Sequence, residues 1–578
     1  MDAGKRTISD IFNGNRLLEI PFFQRTYVWK EEQWNRFLSD MEFISATDKD
    51  YFLGSIILKQ QATPANSSIG DIRTVIDGQQ RMTTMAIFLK VLGLKAGKDS
   101  TVMRLFTLDD DSLAIHHNHG DIDAFNRIMS LSELEDIDPG SSAIFKAYNY
   151  FKANIDPSKL DVLRIRNRAQ FVGIDLLATE DEQQIFDTIN SLGVRLTTGE
   201  LLKNYFFKPE TIEDYKKYWL PTFEADDDCR NYWNAEIVNG RLIRSNIESF
   251  LSAFMQIKVQ DQKYGISTEL KKIYRRSEGL FNNYKTFIET YILANLTSEA
   301  DKKEAIQDLI AEIVDYARIY RENFDNKLLD VETPSKGSIE RLNVVVYGLD
   351  TATVIPYVMF IIKNVSDPNE REAIFDYLES YLVRRTICKS QNNNYSDLFT
   401  ENLIGQDIRT ASELREYIES KDEESSLSMP TDTALRNAFH QSVLPNRRST
   451  VVLYLMESKI RPAGLYSTNL SGFNRYSLEH LMPKKWRNNW GAANDPETRD
   501  EMLLCLGNLA IITSSLNSSV RDAAWCNKLS GIKAKGGLRA YASGLETMRE
   551  VLNKEEWNEN TISERADWLT DKAISIWK

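Results

Sequence analysis

The sequence predicts a multidomain α/β plus α protein: an N-terminal α/β domain, an all-helical middle region and a C-terminal domain with candidate catalytic residues. Its 578 residues are too many for one hydrophobic core. Short apolar runs alternate with helical periodicity as far as about residue 211, and helical periodicity then dominates to about residue 390. We therefore divide the chain into residues 1–211, 212–433 and 434–578.

The composition is that of a soluble globular protein, with 42% hydrophobic and 27% charged residues. No apolar run approaches the roughly 20 residues of a membrane-spanning helix, and the first residues lack the apolar core of a signal peptide. The four cysteines are far apart and form no C-x-x-C pair, which argues against structural zinc and fits a reducing compartment. We expect a cytoplasmic protein without a membrane partner.

Apolar periodicity predicts the individual elements. In the N-terminal domain the predicted strands are 17–23, 52–58, 72–76 and 171–177, and the predicted helices are 34–41, 82–94 and 182–192. Thr197 and Glu200 have the spacing of a capping box and predict a further helix through 201–206. In the middle region the predicted helices are 247–255, 305–320 and 373–383, and the polar segments 391–394 and 421–433 are predicted loops.

The segment 77–81 (DGQQR) joins a predicted strand to a predicted helix. Glycine permits the sharp turn, and the start of a helix directs backbone N–H groups at an anion. Arg81 adds a bidentate phosphate ligand, and Gln79 and Gln80 can bind a sugar or a base. A second Gln-Arg pair at 24–25 precedes a run of aromatic residues. The alternative is that the turn only caps a helix.

The C-terminal domain carries 478–483 (LEHLMP), then 507–512 (GNLAII), Asn517 and Lys528. A nuclease with one metal ion requires such groups, because an imidazole accepts a proton from water and oxygen ligands hold the cation on the scissile phosphate. The alternative for an isolated Glu-His pair is a loop histidine without a catalytic role.

We expect a β-hairpin followed by a helix to carry these groups. His480 would end the first strand and activate the attacking water. Glu479 and Asn517 would be oxygen ligands of the metal, and Asn508 would hydrogen-bond across the hairpin and hold the histidine loop. An oxygen ligand set favours Mg²⁺ or Mn²⁺ over zinc.

Charge is distributed unevenly. The net charge of −13 is unusual for a DNA-binding protein, but residues 434–490 contain nine basic residues against two acidic ones, a local net charge of +7. We expect Lys484, Lys485, Arg487 and Lys528 to contact a phosphate backbone. The alternative is that these are solvated surface charges.

The C-terminal motifs resemble those of the HNH, or ββα-metal, nucleases, and more narrowly the DUF1524 domain. The shared order is a Glu-His pair, a Gly-Asn-Leu segment, an asparagine and a downstream lysine, and the resemblance covers 434–578. It implies an HNH nuclease fold. Two features depart from the pattern: the long interval between His480 and Asn508 implies an inserted loop, and Glu479 stands where many HNH proteins have aspartate.

Five N-terminal segments resemble the motifs of the DUF262 domain and occur in the same order. They are 20–29, 52–58, 75–84, 185–193 and 201–207. This resemblance implies an α/β fold similar to ParB and sulfiredoxin, and the nucleotide-hydrolysing half of GmrSD-type type IV restriction enzymes. The residues to which it assigns nucleotide binding are Gln24, Arg25, Asp77, Gly78, Gln79, Gln80, Arg81, Asn190 and Lys203, with Asn204 as a further candidate. Leu192 stands where many relatives have arginine, and no Walker-type loop is present.

The two resemblances together imply a nucleotide-dependent, modification-dependent DNA endonuclease used against phage. The expected partners are double-stranded modified DNA and a nucleoside triphosphate, which is GTP, UTP, CTP or ATP; a homo-oligomer is left open. Two alternatives also stay open. One is an NTP-switched DNA-binding regulator that does not cleave, and the other is a nuclease that does not sense modification.

Other histidines and cysteines are not assigned to a site. The segment 116–119 (HHNH) is expected to be a surface loop rather than a metal site, and His440 is expected to be structural. Cys505 and Cys526 flank the nuclease motif, but two thiols alone cannot make a closed zinc site.

Overall fold

A computed structural model describes the chain except for residue 1 and the gaps at 13–14, 22–23, 25, 62–68, 119, 178–196, 208–210, 240–241, 277–278, 463–469, 494 and 533–534. The chain divides into two compact units, Met1–Lys216 and Lys217–Lys578. The sequence-based boundaries at 211/212 and 433/434 stay predictions.

A mixed β-sheet organises the first unit. Its strands are β1 (Asp2–Thr7), β2 (Arg16–Glu19), β3 (Tyr51–Gln60), β4 (Asp71–Asp77), β5 (Ile115–His116) and β6 (Ala169–Leu176). They lie in the order β1-β6-β3-β4-β2-β5. The pairs β1–β6 and β3–β4 are antiparallel, and β6–β3, β4–β2 and β2–β5 are parallel.

The helices of this unit are α1 (Ile8–Ile11), α2 (Glu31–Ala46), α3 (Gln79–Lys95), α4 (Asp99–Met103), α5 (Ile122–Met129), α6 (Ala143–Asn154), α7 (Val162–Arg168), α8 (Thr198–Phe206) and α9 (Ile212–Asp214). Residues of α1 to α7 share one hydrophobic core with the sheet. The core lies between the sheet and α2, α3 and α6, where Phe37, Phe88 and Phe151 pack edge to face.

Most of the predicted elements of the first unit are confirmed. The strand predicted at 17–23 ends earlier, at Glu19, and β1 and β5 were not predicted. β1 is mostly polar because it is an edge strand, so it gives no apolar alternation. The capping box is confirmed, since Thr197 Oγ1 accepts from the Glu200 amide. The predicted helix 182–192 lies outside the described residues.

The prediction of a surface loop at 116–119 is wrong for its central residues. His117 and Asn118 are 4% and 1% exposed, and Asp121 beyond them is 6% exposed. The His117 ring is 2.8 Å from Thr83 Oγ1, and Asp121 Oδ2 accepts from the Tyr27 amide at 2.6 Å. Burial lowers the pKa of His117 to about 3, so the ring is neutral. This polar cluster ties the segment before α2 to helix α3.

The second unit is mainly helical. Its first helices are α10 (Leu220–Phe223), α11 (Asp227–Asn234), α12 (Asn246–Lys258), α13 (Thr268–Tyr274), α14 (Leu280–Phe287), α15 (Glu299–Asn323), α16 (Ile339–Gly348), α17 (Ile355–Asn364), α18 (Pro368–Ile387), α19 (Ala411–Glu419), α20 (Asp432–Gln441) and α21 (Asn446–Ile460). The helices predicted at 247–255, 305–320 and 373–383 are confirmed within α12, α15 and α18. A hairpin of β7 (Glu236–Asn239) and β8 (Leu242–Ser245) was not predicted.

The remaining elements surround the candidate nuclease residues. They are β9 (Tyr476–His480), α22 (Pro496–Met502), β10 (Leu509–Thr513), α23 (Ser514–Val520), α24 (Trp525–Ser530), β11 (Gly531–Ile532), β12 (Lys535–Gly536), α25 (Leu538–Tyr541) and α26 (Glu559–Ile576). In the part of the chain that the structure describes, no helix has the length and apolar composition needed to span a lipid bilayer.

A buried ion pair joins the last residues to the middle of this unit. Arg341 and Glu379, 0% exposed, pair through two hydrogen bonds, and Trp577 Nε1 donates to the same carboxylate at 2.8 Å. Arg341 Nη1 also donates to Ser458 Oγ on α21. Such a network is stabilising only when every polar atom is satisfied, and this one joins α16, α18, α21 and the C-terminus.

The two polar segments predicted as loops are held rigidly by one side chain. Arg385, 1% exposed, donates to the carbonyls of Gln391, Ser426 and Ser428. Its guanidinium also lies over the rings of two tyrosines. The loops are therefore anchored to α18 through their backbone carbonyls.

Candidate functional site

An antiparallel hairpin of β9 and β10 carries the candidate nuclease residues. His480 is the last residue of β9 and pairs with Leu509, the first residue of β10. Helix α23 follows β10 directly and carries Asn517. The three candidate residues therefore follow one another around the hairpin: His480 ends β9, Asn508 lies in the 3₁₀ turn directly before β10, and Asn517 lies on α23.

The predicted inserted loop is present between the two strands. It contains a short 3₁₀ turn, Trp486–Asn488, and helix α22. Trp486 is buried and donates to Asp500 at 2.7 Å, and the guanidinium of Arg499 lies over its ring. Trp486 thus holds the insertion in place.

The amide of Asn508 connects three parts of the domain. Its Oδ1 accepts from the Met482 amide at 2.8 Å and from Trp557 Nε1 at 2.9 Å. Its Nδ2 donates to the carbonyls of Met482 and Leu503. Asn508 is 0% exposed, and these four bonds satisfy both polar atoms of the side chain. The residues directly after His480 are therefore fixed to the second strand.

Gly507 allows the C-terminal helix to approach the hairpin. A Cβ at this position would lie 2.4 Å from the Ile562 carbonyl oxygen and 3.0 Å from Ala566 Cβ on α26. The Gly-Asn pair of the sequence motif thus has two physical roles. The glycine permits close packing of backbone against helix, and Asn508 holds the histidine loop.

The buried side chain of Lys528 holds the end of β9, where the candidate base His480 lies. Lys528 Nζ forms an ion pair with Glu479 Oε1 and donates to the His480 carbonyl at 2.7 Å. Burial raises the pKa of Glu479 and lowers the pKa of Lys528, while their mutual attraction opposes both shifts. Because Lys528 is 0% exposed, the prediction that it contacts DNA is wrong; it positions β9 from within.

Glu479 and Asn517 lie on the same face of β9. Alternation along the strand puts Ser477 and Glu479 on one face, and Asn517 Nδ2 donates to Ser477 Oγ at 3.0 Å. Within the described residues, neither Glu479 Oε2 nor Asn517 Oδ1 accepts a hydrogen bond. Both are hard oxygen donors of the kind that Mg²⁺ prefers, so this pair fits a divalent cation.

The described residues offer few side-chain ligands for a metal ion. Within the described ranges, no group of three or more His, Cys, Asp or Glu side chains is close enough to hold a metal ion. Mg²⁺ commonly keeps several waters and binds substrate phosphate oxygens in addition to one or two protein ligands. A cation held by Glu479 and Asn517 would therefore depend on water and phosphate to complete its coordination.

His480 is neutral in this environment. The ring is half-buried, and burial lowers its pKa to about 4, with further lowering from the positive charges of Lys484 and Lys528. Within the described residues, its ring nitrogens have no hydrogen-bond partner. A neutral imidazole with an available nitrogen is the protonation state that a general base requires.

The basic segment 434–490 is less positive on its surface than its sequence suggests. Acidic residues from outside the segment pair with the basic side chains of Arg436, Arg448, Lys459 and Arg487. By contrast, Arg475, Lys484 and Lys485 are exposed and flank β9 closely in sequence. Lys484 is close enough to His480 for its charge to lower the pKa of the imidazole.

The N-terminal turn has the predicted geometry. Gly78 has φ of +98°, and a Cβ there would lie 2.9 Å from Ile56 Cγ1, so only glycine fits. Helix α3 begins directly after it without a side-chain cap. Arg81 Nη2 donates to the Ser55 carbonyl at 2.6 Å and to Asp77 at 3.1 Å, and thereby lies across the turn.

The glutamines of the N-terminal motif have structural contacts. Gln80 accepts from the Val28 amide at 2.9 Å and donates to the Thr26 carbonyl. Gln24 Nε2 donates to the Val75 carbonyl at 2.6 Å. Gln24 is thereby attached to β4, and Gln80 attaches Thr26 and Val28 to α3, roles that the sequence did not predict.

The other predicted nucleotide-binding residues are less accessible or lie outside the described residues. Gln79 and Lys203 are 8% and 3% exposed. Arg25 and Asn190 lie outside the residues that the structure describes, as does Leu192. Their assignment stays a prediction.

One contributor to the C-terminal site was missed by the sequence analysis. Trp557 is 4% exposed and donates to Asn508, the residue that holds the histidine loop. The available signal was its position in a tryptophan-punctuated tail, but nothing in the sequence indicates which of those tryptophans meets Asn508.

Two family models match the chain. The N-terminal domain of the GmrSD restriction endonuclease matches residues 8–207, and the C-terminal domain of GmrSD restriction endonucleases matches residues 429–572. These matches define the class, which is that of restriction endonucleases, enzymes that cleave DNA. The matches span more than half of the sequence, and the chain belongs to the GmrSD restriction endonuclease family. No curated protein matches it.

Replacing Asn508 by alanine should loosen the histidine loop. The change leaves the Met482 amide and carbonyl without buried partners, at a cost of about 1–3 kcal/mol. Native-state hydrogen exchange at Met482 should accelerate by about one to two powers of ten. Asn489→Ala, at an exposed asparagine of the same insertion, is the matched control and should leave this exchange unchanged. Equal protection in wild type and Asn508→Ala would contradict the assigned role.

Proposed function

We propose that the C-terminal domain is a metal-dependent HNH-type nuclease that hydrolyses DNA phosphodiesters with His480 as general base. The observation that carries this proposal is the position of His480, which ends β9 between two anchors, Asn508 and Lys528. Membership of a restriction endonuclease family supports DNA as the substrate.

Mg²⁺ or Mn²⁺ at Glu479 and Asn517 would supply Lewis-acid stabilisation of the departing oxygen. The pairing of Glu479 with Lys528 opposes the effect of burial on the carboxylate and orients it, with Oε2 left for a ligand. Asn517 Nδ2 donates to Ser477 Oγ and to the Leu478 carbonyl. Asn517 Oδ1 would then be the second oxygen ligand of the metal.

The residues of the chain itself perform the remaining tasks. His480 accepts the proton of the attacking water, for which its low pKa keeps it neutral. Lys484 and Lys485 bind the phosphate backbone, and their attraction is independent of base sequence. Asn508 and Trp557 hold the histidine loop, so little reorganisation is needed at the moment of reaction.

The N-terminal domain, for which we propose a ParB-like fold, binds and hydrolyses a nucleoside triphosphate at the turn 77–81. The uncapped start of α3 offers backbone N–H groups to a phosphate, and Arg81 lies beside them. The identity of the nucleotide, among GTP, UTP, CTP and ATP, is open. Family membership further supports modification-dependent cleavage of phage DNA in the cytoplasm, with the oligomeric state open.

His480→Ala should abolish plasmid cleavage in Mg²⁺, because removal of a general base costs about 10²- to 10⁴-fold in rate. DNA binding, measured by gel shift without metal, should persist. The matched control is His440→Ala, whose ring pairs with Asp567 on α26. Equal cleavage by wild type and His480→Ala would contradict the proposal, and inactivity of both enzymes on every substrate would favour a DNA-binding regulator that does not cleave.

Cleavage should require both a modified substrate and a nucleotide. Unmodified, glucosylated hydroxymethylcytosine and phosphorothioate plasmids are each incubated with every NTP in turn. We expect a modified plasmid to be cleaved with at least one NTP. The unmodified plasmid should not be cleaved. Equal cleavage of all three without a nucleotide would identify a nuclease that does not sense modification.

Arg81→Ala should reduce NTP turnover by about 10- to 100-fold, because a charge-assisted hydrogen bond to phosphate contributes about 1.5–3 kcal/mol. Phosphate release is measured beside the thermal midpoint, since Arg81 also holds the Ser55 carbonyl. Arg36→Ala, at an exposed arginine of α2, is the control. Unchanged turnover in a folded Arg81→Ala protein would remove the anion site from this turn.

A further inference from the structure

The insertion between β9 and β10 begins with a tight turn, which follows the candidate base by a few residues. The Asn488 amide donates to the Lys485 carbonyl at 3.2 Å and closes a 3₁₀ turn. Side chains three residues apart eclipse each other in such a turn. Lys485 and Asn488 therefore lie on the same side of it, and the two side chains between them lie on other sides.

The side chains of Trp486 and Arg487 attach this turn to the rest of the insertion. Trp486 is buried, and its Nε1 donates to Asp500 Oδ1 at 2.7 Å. Arg487 Nη2 donates to the other oxygen of that carboxylate at 2.8 Å, and its guanidinium lies over the Trp486 ring. Because Asp500 lies on α22, both residues hold the turn to that helix.

The two residues after the turn are attached to the segment that follows α23. Asn489 Nδ2 donates to the Asp522 carbonyl at 2.9 Å, and Trp490 Nε1 donates to the Ala523 carbonyl at 3.1 Å. Helix α23 carries Asn517, the proposed metal ligand. The turn is therefore fixed relative to the candidate residues of the hairpin and of α23.

The side of the turn that carries Lys485 and Asn488 faces solvent. Both residues are exposed, as is Lys484 directly before them. Within the described residues, these three side chains form no hydrogen bond or ion pair with the protein. Lys484 is near enough to His480 for its charge to act on the imidazole. A fixed surface with two cations and one unused amide thus lies beside the candidate base.

The chemistry of this surface fits DNA that is read at one base. The two ammonium groups suit phosphates, which carry no sequence information. An asparagine amide offers a donor beside an acceptor, so it pairs through both atoms with a base edge that does the same. In an intact duplex these edges are adenine N6 and N7 in the major groove and guanine N2 and N3 in the minor groove. Both belong to purines.

We propose that Asn488 reads a purine near the scissile phosphate, while Lys484 and Lys485 hold the flanking backbone. This inference rests on the proposed role of His480 as the base of a DNA nuclease. The turn is already ordered by its four anchored side chains, so pairing of the amide immobilises little further structure. Cleavage then favours positions with a purine at one fixed distance from the cut.

Sequencing the ends of a plasmid cleaved by the full-length protein tests this role. A bidentate contact should enrich one purine at least about 5-fold at a fixed distance from the wild-type cuts. Among the cuts that Asn488→Ala still makes, this enrichment should disappear. Asn553→Ala is the matched control and should retain it, because Asn553 is an exposed asparagine that ends another 3₁₀ turn with the same backbone bond.

Binding without metal gives a second readout that needs no cleavage. Three duplexes of one sequence are compared by gel shift: the parent, one with 7-deazaadenine for adenine and one with inosine for guanosine. The first substitution removes the N7 acceptor of adenine, and the second removes the N2 donor of guanine. Wild type should bind one substituted duplex at least about 5-fold more weakly than the parent, and that duplex identifies the groove. Asn488→Ala should bind all three alike.

An even base composition around the wild-type cuts would overturn the proposal, as would an enrichment that Asn488→Ala retains. Equal binding of wild type to the three duplexes contradicts it as well. If wild type cleaves no substrate, the proposed nuclease function fails, and the three duplexes alone decide whether Asn488 reads a base. Cleavage with an even base composition leaves the nuclease function intact and removes only this role.

Discussion

The buried amide of Asn508 is the interaction on which the C-terminal site depends. Its four hydrogen bonds reach the loop after His480, the insertion before β10 and the tail at Trp557. An amide withdrawn from water must satisfy both polar atoms, and this arrangement of the three segments does so. Burial of this asparagine therefore helps to fix the position of the candidate base, together with Lys528.

The buried ion pairs of this unit differ in how completely their polar atoms are hydrogen-bonded. In the middle of the unit Arg341 and Glu379 pair with each other, and Ser458 and Trp577 complete their hydrogen bonds. Beside β9, the Glu479–Lys528 pair leaves one carboxylate oxygen without a hydrogen bond from the described residues. Glu479 directly precedes the candidate base in sequence, so this oxygen is available to a ligand of the proposed site.

The sequence predicted the order of elements well where periodicity was strong, as in β3, β4 and helix α15. It also predicted that His480 ends a strand and that Asn508 crosses the hairpin. It could not predict long-range partners. Lys528 looks like a surface cation in sequence, and only folding brings it under Glu479. Acids distant in sequence likewise neutralise much of the basic segment 434–490. Edge strand β1 was missed because its solvated residues do not alternate.

A crystal structure of the full-length protein soaked in Mn²⁺ with a DNA duplex tests the central claim most directly. The account predicts an anomalous peak at about 2.1–2.3 Å from Asn517 Oδ1 and a Glu479 oxygen, with a phosphate oxygen on the same ion and the His480 ring directed at the water opposite the scissile bond. An empty site with the His480 ring turned into the protein interior would contradict it, and would leave a DNA-binding domain that does not cut.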